Sequence, residues 1–222
     1  MQISLSQFNA FIFDFDGVIL DSLDVKTRAF GELFKDRGRD IREKVMNYHR
    51  NNGGVSRYEK FKYFYKNFFN EEITPEIIDD LDKKYSALVV EEVVKAPFVE
   101  GAEEFLKEIH SRQRPCFVIS GTPQEEMRRI VKLRGLDHFF KDVFGSPTNK
   151  TENLSQLLKK YGVKANEAIF FGDAKADYEA ARQNGVQFIG IVDKSSELDS
   201  ITNVTKIKNF KNVFSLEELP SF

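Results

Sequence analysis

A single cysteine, Cys116, leaves the 222-residue chain without a partner for an intramolecular disulfide, so its fold cannot depend on oxidative cross-links. No stretch approaches the roughly 20 apolar residues that cross a bilayer as a helix. The N-terminus has neither the basic start nor the apolar run of a secretion signal. Together these absences point to a reducing, cytoplasmic setting and no membrane partner. An excess of one charge is also missing. Charged residues make up 31% of the chain but cancel to a formal net charge of -2, so nothing draws the whole molecule to nucleic acid or anionic lipid, and a small soluble substrate fits better. Repeats and low-complexity segments are absent as well. What is present is 41% hydrophobic, enough for a core, in a length that suits one domain with a sizeable insertion.

The stretch Phe11-Ile12-Phe13-Asp14-Phe15-Asp16-Gly17 drives an apolar run into two carboxylates and then a glycine. Residues 8–13 have the aromatic and β-branched character of a short, fully buried parallel strand. Because side chains alternate along a strand, Asp14 and Asp16 point to one side and Phe13 and Phe15 to the other. Two like charges there are costly unless a cation or hydrogen bonds compensate them, and a divalent metal is the simplest compensation. Gly17 permits a sharp turn or a close approach, and Asp21-Ser22 offers capping side chains for a helix. Taken alone, this stretch reads equally as a strand-end turn with solvated aspartates.

Downstream the pattern becomes helical. Residues 23–34 place Val25, Ala29, Phe30, Leu33 and Phe34 near helical spacing, and after a break at Asn51-Asn52-Gly53-Gly54 the residues Phe61, Phe64, Tyr65 and Phe68 fall on one helix face. Interleaved Lys60, Lys62 and Lys66 raise the alternative of a nucleic-acid platform, but a one-sided aromatic stripe is read as a helix-helix core. Thr74-Pro75 opens a further helix through Ile77, Ile78, Leu81, Tyr85 and Leu88. Residues 22–95 are therefore expected to be a helical insertion, with 1–21 and 96–222 forming the rest. In that remainder helices are expected over 101–110, 122–135, 151–161 and 174–184. Strands are expected over 115–120, around 143–144, over 168–171 and 187–192, and at an edge near 204–210, followed by a short terminal helix. Such alternation predicts a parallel sheet with helices on both faces and ligands beyond the carboxyl ends of the strands.

Three more clusters fall at predicted strand ends. In Ser120-Gly121-Thr122-Pro123-Gln124-Glu125, Thr122 and Glu125 have capping-box spacing, so free amides and the Ser120 hydroxyl make an anion receptor suited to phosphate. Lys150 precedes a helix and could neutralise charge. Finally, the buried run Phe170-Phe171 ends in Gly172-Asp173-Ala174-Lys175-Ala176-Asp177, where Asp173 could share a metal with Asp14 and Asp177 could support it one turn on.

With DFDG at residues 14–17, the serine of VISGTP at Ser120, Lys150, and GDAKAD at residues 172–177, the chain resembles the haloacid dehalogenase superfamily of phosphohydrolases. The likeness covers the first strand and nearly everything from about residue 97 onward. It implies an α/β fold, a three-layer Rossmann-like core with a parallel sheet, and a small α-helical cap domain inserted after the first strand. It further implies that Asp14 attacks phosphorus to give an aspartyl-phosphate, while Asp16 protonates the leaving oxygen and then deprotonates the hydrolytic water. Mg²⁺ would be held by Asp14, the backbone carbonyl of Asp16 and Asp173, with Asp177 near them. Ser120, Gly121, Thr122 and Lys150 would bind the phosphoryl oxygens.

The cap break Gly54-Val55-Ser56-Arg57 is similar to a segment of β-phosphoglucomutases in which the arginine helps hold a substrate phosphate. This makes Arg57 and Gly54, with Lys60 and His49 beside them, candidates for binding the substrate's second anionic group. The expected function is a Mg²⁺-dependent phosphatase acting on a small phosphorylated metabolite, as a monomer or weak homodimer. A phosphosugar mutase is the alternative, and a non-catalytic phosphate-binding or switch module the most distant one. His110 and His138 are expected to be structural or exposed.

Overall fold

In the computed structural model, residues 3–5, 7–192, 196–211 and 214–215 are described. The expected terminal helix lies outside these residues. In chain order, β1 (Ile3–Ser4) and β2 (Ala10–Phe13) are followed by α1 (Leu23–Leu33), α2 (Arg39–Arg50), α3 (Arg57–Phe64) and α4 (Pro75–Lys95), with a π-helical turn over Tyr65–Phe69 continuing α3. Alternation then begins with α5 (Ala102–Ser111), β3 (Cys116–Pro123), α6 (Gln124–Leu133), β4 (Phe140–Ser146) and α7 (Lys150–Tyr161). It continues through β5 (Ala168–Gly172), α8 (Lys175–Asn184), β6 (Gln187–Ile191), β7 (Thr205–Ile207) and β8 (Phe214–Ser215).

The main sheet has the order β4-β3-β2-β5-β6-β7 and every pairing in it is parallel. The chain runs outward from β2 to β3 and β4, then returns to the other side of β2 at β5. The carboxyl end of β2 is therefore the topological switch point, where such sheets bind ligands. The strand is apolar and buried throughout, as a strand covered on both faces must be. Its alternation divides the interior. Phe11 and Phe13 face one layer with Phe105 and Phe171, Phe13 stacking on Phe171 at 5.1 Å. Ala10 and Ile12 face the other with Phe117, Ile119, Leu154 and Phe170.

The helices between β2 and β3 have an aromatic core of their own. Phe30 meets Phe64 edge to face at 5.7 Å and Tyr85 at 4.4 Å, and Phe61 and Phe64 are wholly buried. The aromatic stripe of α3 thus faces neighbouring helices. Several boundaries differ from the sequence-based expectation. The expected first strand over 8–13 is the shorter β2, and β4 extends on both sides of 143–144. The helix α2 was not anticipated as a separate element, although Ile41, Val45 and Tyr48 stand at i, i+4 and i+7 and pack on the core of the neighbouring helices, Tyr48 stacking on Tyr63 at 4.0 Å.

Candidate active site

Asp14 follows β2 directly, and its amide still belongs to the sheet, donating to the Phe171 carbonyl at 2.9 Å. Its Oδ1 accepts from the Phe15 amide at 2.6 Å and its Oδ2 from Lys150 Nζ at 2.7 Å. The side chain is therefore fixed at the mouth of the switch point, 4% exposed. Gly17 turns the chain away with φ 81°, and a Cβ there would meet Asp173 Oδ2 at 2.6 Å. Glycine at this position is what lets the β2 loop and the β5 loop approach each other.

Lys150, the first residue of α7, donates from the same Nζ to Asp177 Oδ1 at 2.6 Å, while Asp177 Oδ2 accepts from the Ala174 amide at 3.1 Å. Oxygens of Asp14, Asp173 and Asp177 lie within 4.8 Å of one another. Burial would lower the pKa of Lys150, but Asp14 and Asp177 outweigh it and hold the ammonium above its ordinary range. The opposite holds for Asp173, which burial first, then Asp14 and Asp177, push well above the usual carboxylate range. Burial and Asp14 raise Asp177 to about 7 against the pull of Lys150. One ammonium among two buried carboxylates and one half-buried one leaves excess negative charge, and a hard divalent cation with oxygen ligands fits that donor set. Asp16 does not share it through its carboxylate.

The Asp16 carboxylate turns toward the inserted helices. Its Oδ1 accepts from Ser22 Oγ at 2.6 Å, and Lys26 on α1 donates to Oδ2 and, at 2.6 Å, to Thr122 Oγ1. Burial alone would push the Asp16 carboxyl up, but the Lys26 ammonium and the Ser22 hydroxyl outweigh it and hold it below the ordinary range. Two capping expectations are corrected here. Ser22 precedes α1 without capping it, because its hydroxyl is committed to Asp16. The proposed Thr122–Glu125 box does not form, because β3 runs on through Pro123 and α6 begins only at Gln124. The amide of Thr122 instead donates to Ser120 Oγ at 3.1 Å, folding the Ser120-Gly121-Thr122 loop over the carboxylates.

The insertion closes the other side. The Gly53 amide donates to Glu197 Oε1 at 2.5 Å, and a Cβ on Gly121 would stand 2.7 Å from the Gly54 carbonyl oxygen. Between the two parts lies a cavity of about 1120 Å³ lined by Asp14, Asp16, Lys26, Lys60, Ser120 and Asp173 among others. Arg57 reaches its edge with a guanidinium already occupied. It donates to Glu126 of α6 through both terminal nitrogens, to Asp82 Oδ1 at 3.1 Å and to Ser86 Oγ at 2.8 Å, and lies over the Tyr85 ring. His110 and His138 are exposed and pack beside each other, away from this cavity.

Lys60 is buried beside His49, its Nζ 2.8 Å from Nδ1. Burial, with repulsion from Lys26 and Lys150 only partly offset by Glu197 and Asp173, pushes its ammonium down to about 7. His49 is lowered well below its ordinary range by burial and by Lys60, so it is neutral above pH 7. Between pH 7 and about 10 the unfolded chain binds a proton at Lys60 that the folded chain does not, so folding stability rises with pH over this window. We expect Lys60→Met to melt higher than the wild type near pH 7, with the gap narrowing toward pH 10. A gap independent of pH in thermal melts would contradict this.

Sequence reasoning missed Lys26, Ser22, Glu126 and Glu197. A usable signal existed for the first. Lys26 sits one helical turn before Phe30, inside the apolar stripe of α1, where a charged residue needs a buried partner. Glu126 and Glu197 carried no such signal, because each meets a residue far away in the chain.

A family model described as haloacid dehalogenase-like hydrolase matches residues 11–191. A phosphoglycolate phosphatase of Aliivibrio fischeri is 27% identical over 182 residues, covering 78% of this chain and 79% of its own. Among solved structures, CbbY from Rhodobacter sphaeroides in complex with phosphate superposes with a TM-score of 0.75 at 16% identity, over 96% of this chain and 99% of its own. A β-phosphoglucomutase from Clostridium difficile does so with a TM-score of 0.74 at 20% identity, over 91% and 92%. At these identities both structures are likenesses of fold.

Proposed function

The chain belongs to the haloacid dehalogenase-like hydrolases, and from that premise we propose that it is a phosphatase of small phosphorylated metabolites in which Asp14 is the nucleophile. The observation that carries this reading is the placement of Asp14 at the switch point, between Lys150 and a cluster of carboxylates, on the wall of the cavity between the sheet and the inserted helices. Phosphate monoesters resist attack because an anionic nucleophile meets an anionic phosphoryl group, so neutralised charge and in-line positioning are the main requirements. Lys150 holds the Asp14 carboxylate in one orientation and offsets its charge. The Ser120-Gly121-Thr122 loop presents hydroxyl and amide groups to the phosphoryl oxygens. Asp16, two residues beyond the nucleophile, is the acid and base. Against burial, the Lys26 ammonium holds its carboxyl below the ordinary range in this arrangement. As that contact loosens, the carboxyl takes up a proton from solvent, delivers it to the leaving oxygen and then takes one from the water that cleaves the aspartyl-phosphate.

Asp14, Asp173 and the main-chain carbonyl of Asp16 would hold Mg²⁺, with Asp177 anchoring Lys150 behind them. When bound, the ion neutralises charge on the transferring group. The helices of residues 22–95 act as the cap, and their loop at residues 51–56 covers the catalytic carboxylates.

Phosphate release from a panel of phosphomonoesters tests the reading. One or two members, phosphosugars or phosphoglycolate among them, should be hydrolysed, with activity lost in EDTA and restored by Mg²⁺. Silence across the panel in demonstrably folded protein would overturn it. Isomerisation appearing only with a bisphosphate activator would replace it with a mutase.

A further inference from the structure

Buried cations on this cavity wall are hydrogen-bonded to carboxylates, except one. Lys26 has Asp16, and Arg57 has Glu126 and Asp82. Lys60 is 2% exposed and lines the same cavity, yet among the described residues its hydrogen-bond partner is the neutral ring of His49. An ammonium taken out of water without a counter-charge in contact is costly, and an apolar side chain of the same length would fill the site at less cost. The ammonium also sits 5.7 Å from the centre of the Phe30 ring, a contact far weaker than an ion pair.

His49 sharpens the chemistry. An ammonium on Lys60 can only donate, so when it is charged His49 accepts at Nδ1 and carries its ring proton on Nε2, which makes lysine and histidine both hydrogen-bond donors on the cavity wall. The two residues come from different helices, α2 and α3, and are held by the aromatic core of the insertion, His49 lying 4.8 Å from the Phe30 ring. Donors with no carboxylate in hydrogen-bond contact, lining the same cavity as Asp14 while Glu197 and Asp173 act on Lys60 only from a longer range, make a receptor for an anion supplied from outside.

We propose that Lys60, backed by His49, receives a second anionic group, a carboxylate or a second phosphate, at the end of the substrate remote from the transferring phosphoryl group. The cavity then selects phosphomonoesters with an anionic tail and disfavours neutral ones. This rests on the phosphatase reading for the orientation of the substrate. It moves the anion receptor away from Arg57, whose guanidinium is spent within the protein.

The test is titration calorimetry of the Mg²⁺-loaded full chain with three inert phosphonates: phosphonoacetate, propane-1,3-bisphosphonate and the neutral-tailed ethylphosphonate. At least one anionic-tailed probe should bind about tenfold or more tighter than ethylphosphonate, as a charge-assisted contact implies. Which of the two binds tighter identifies the tail as carboxylate or phosphate. Lys60→Met, whose folding is checked by circular dichroism, should abolish the difference, and His49→Gln should reduce it. Equal affinity for all three probes in the wild type, or discrimination that survives Lys60→Met, overturns the proposal. Turnover is read separately. Discrimination among phosphonates with no phosphate release would leave the subsite standing and remove the phosphatase reading, whereas hydrolysis without discrimination would do the reverse.

Discussion

Asp14→Asn is expected to lower turnover by roughly 10⁴-fold or more, the scale on which loss of a covalent nucleophile is felt. The amide that replaces the carboxylate keeps the shape of the side chain and an oxygen able to accept from the Phe15 amide, but it cannot form an acyl-phosphate as an anionic nucleophile. The fold should not suffer. Lys150 retains Asp177, and the cluster of Asp14, Asp173 and Asp177 loses one of its mutually repelling charges. Phosphate release under saturating Mg²⁺, alongside thermal melts of both proteins, makes the comparison. Retention of more than a few per cent of activity would remove Asp14 from the nucleophile's place, and the melts must match for the loss to be read as chemistry.

The reason this prediction could be framed from sequence is physical. An apolar strand running into Asp14 and Asp16 cannot be buried without compensation, and the compensating partners had to stand at other strand ends of the same sheet. The parallel order around β2 brings Ser120, Lys150 and Asp173 to that one edge, as the alternation of strands and helices implied. What sequence could not supply was the direction in which each polar side chain turns. Asp14 and Asp16 were read as sharing one side, yet Asp14 faces Lys150 and Asp16 faces Lys26. Gly17 breaks the strand immediately, so strict alternation no longer governs the second carboxylate. Thr122 was legible as a polar residue at the site, but its partner was not, since capping spacing is local while Lys26 arrives from the insertion.

The same limit governs Arg57. Its position after Gly54-Val55-Ser56 was visible, and so was its place on the stripe of α3, one turn before Phe61. Neither feature discloses Glu126, which lies on a helix packed against the insertion from the other part of the chain.

Glu126→Ala should therefore be among the most destabilising single changes outside the sheet, costing roughly 3–5 kcal/mol, the range for breaking one partner out of a buried ion pair. The Arg57 side chain is 4% exposed and that of Glu126 10%, so neither charge is met by water once the other is removed. The Asp82 side chain, 25% exposed, compensates in part, and Ser86 keeps one neutral contact. Because Arg57 belongs to α3 and Glu126 to α6, the chain has a second way to relieve the stranded guanidinium: the insertion can lift from the core and rehydrate it. Glu126→Ala should then show both a lower melting temperature and faster proteolysis within residues 51–57. The double variant Arg57→Met with Glu126→Met should recover most of the loss, since an apolar pair of similar length leaves no buried charge. This cycle also decides what Arg57 is for. If its main task were to bind substrate, Arg57→Met alone would raise KM with an unchanged melt, and Glu126→Ala would leave stability near the wild-type value. A structural clamp gives the reverse pattern, with stability falling in each single variant and returning in the pair.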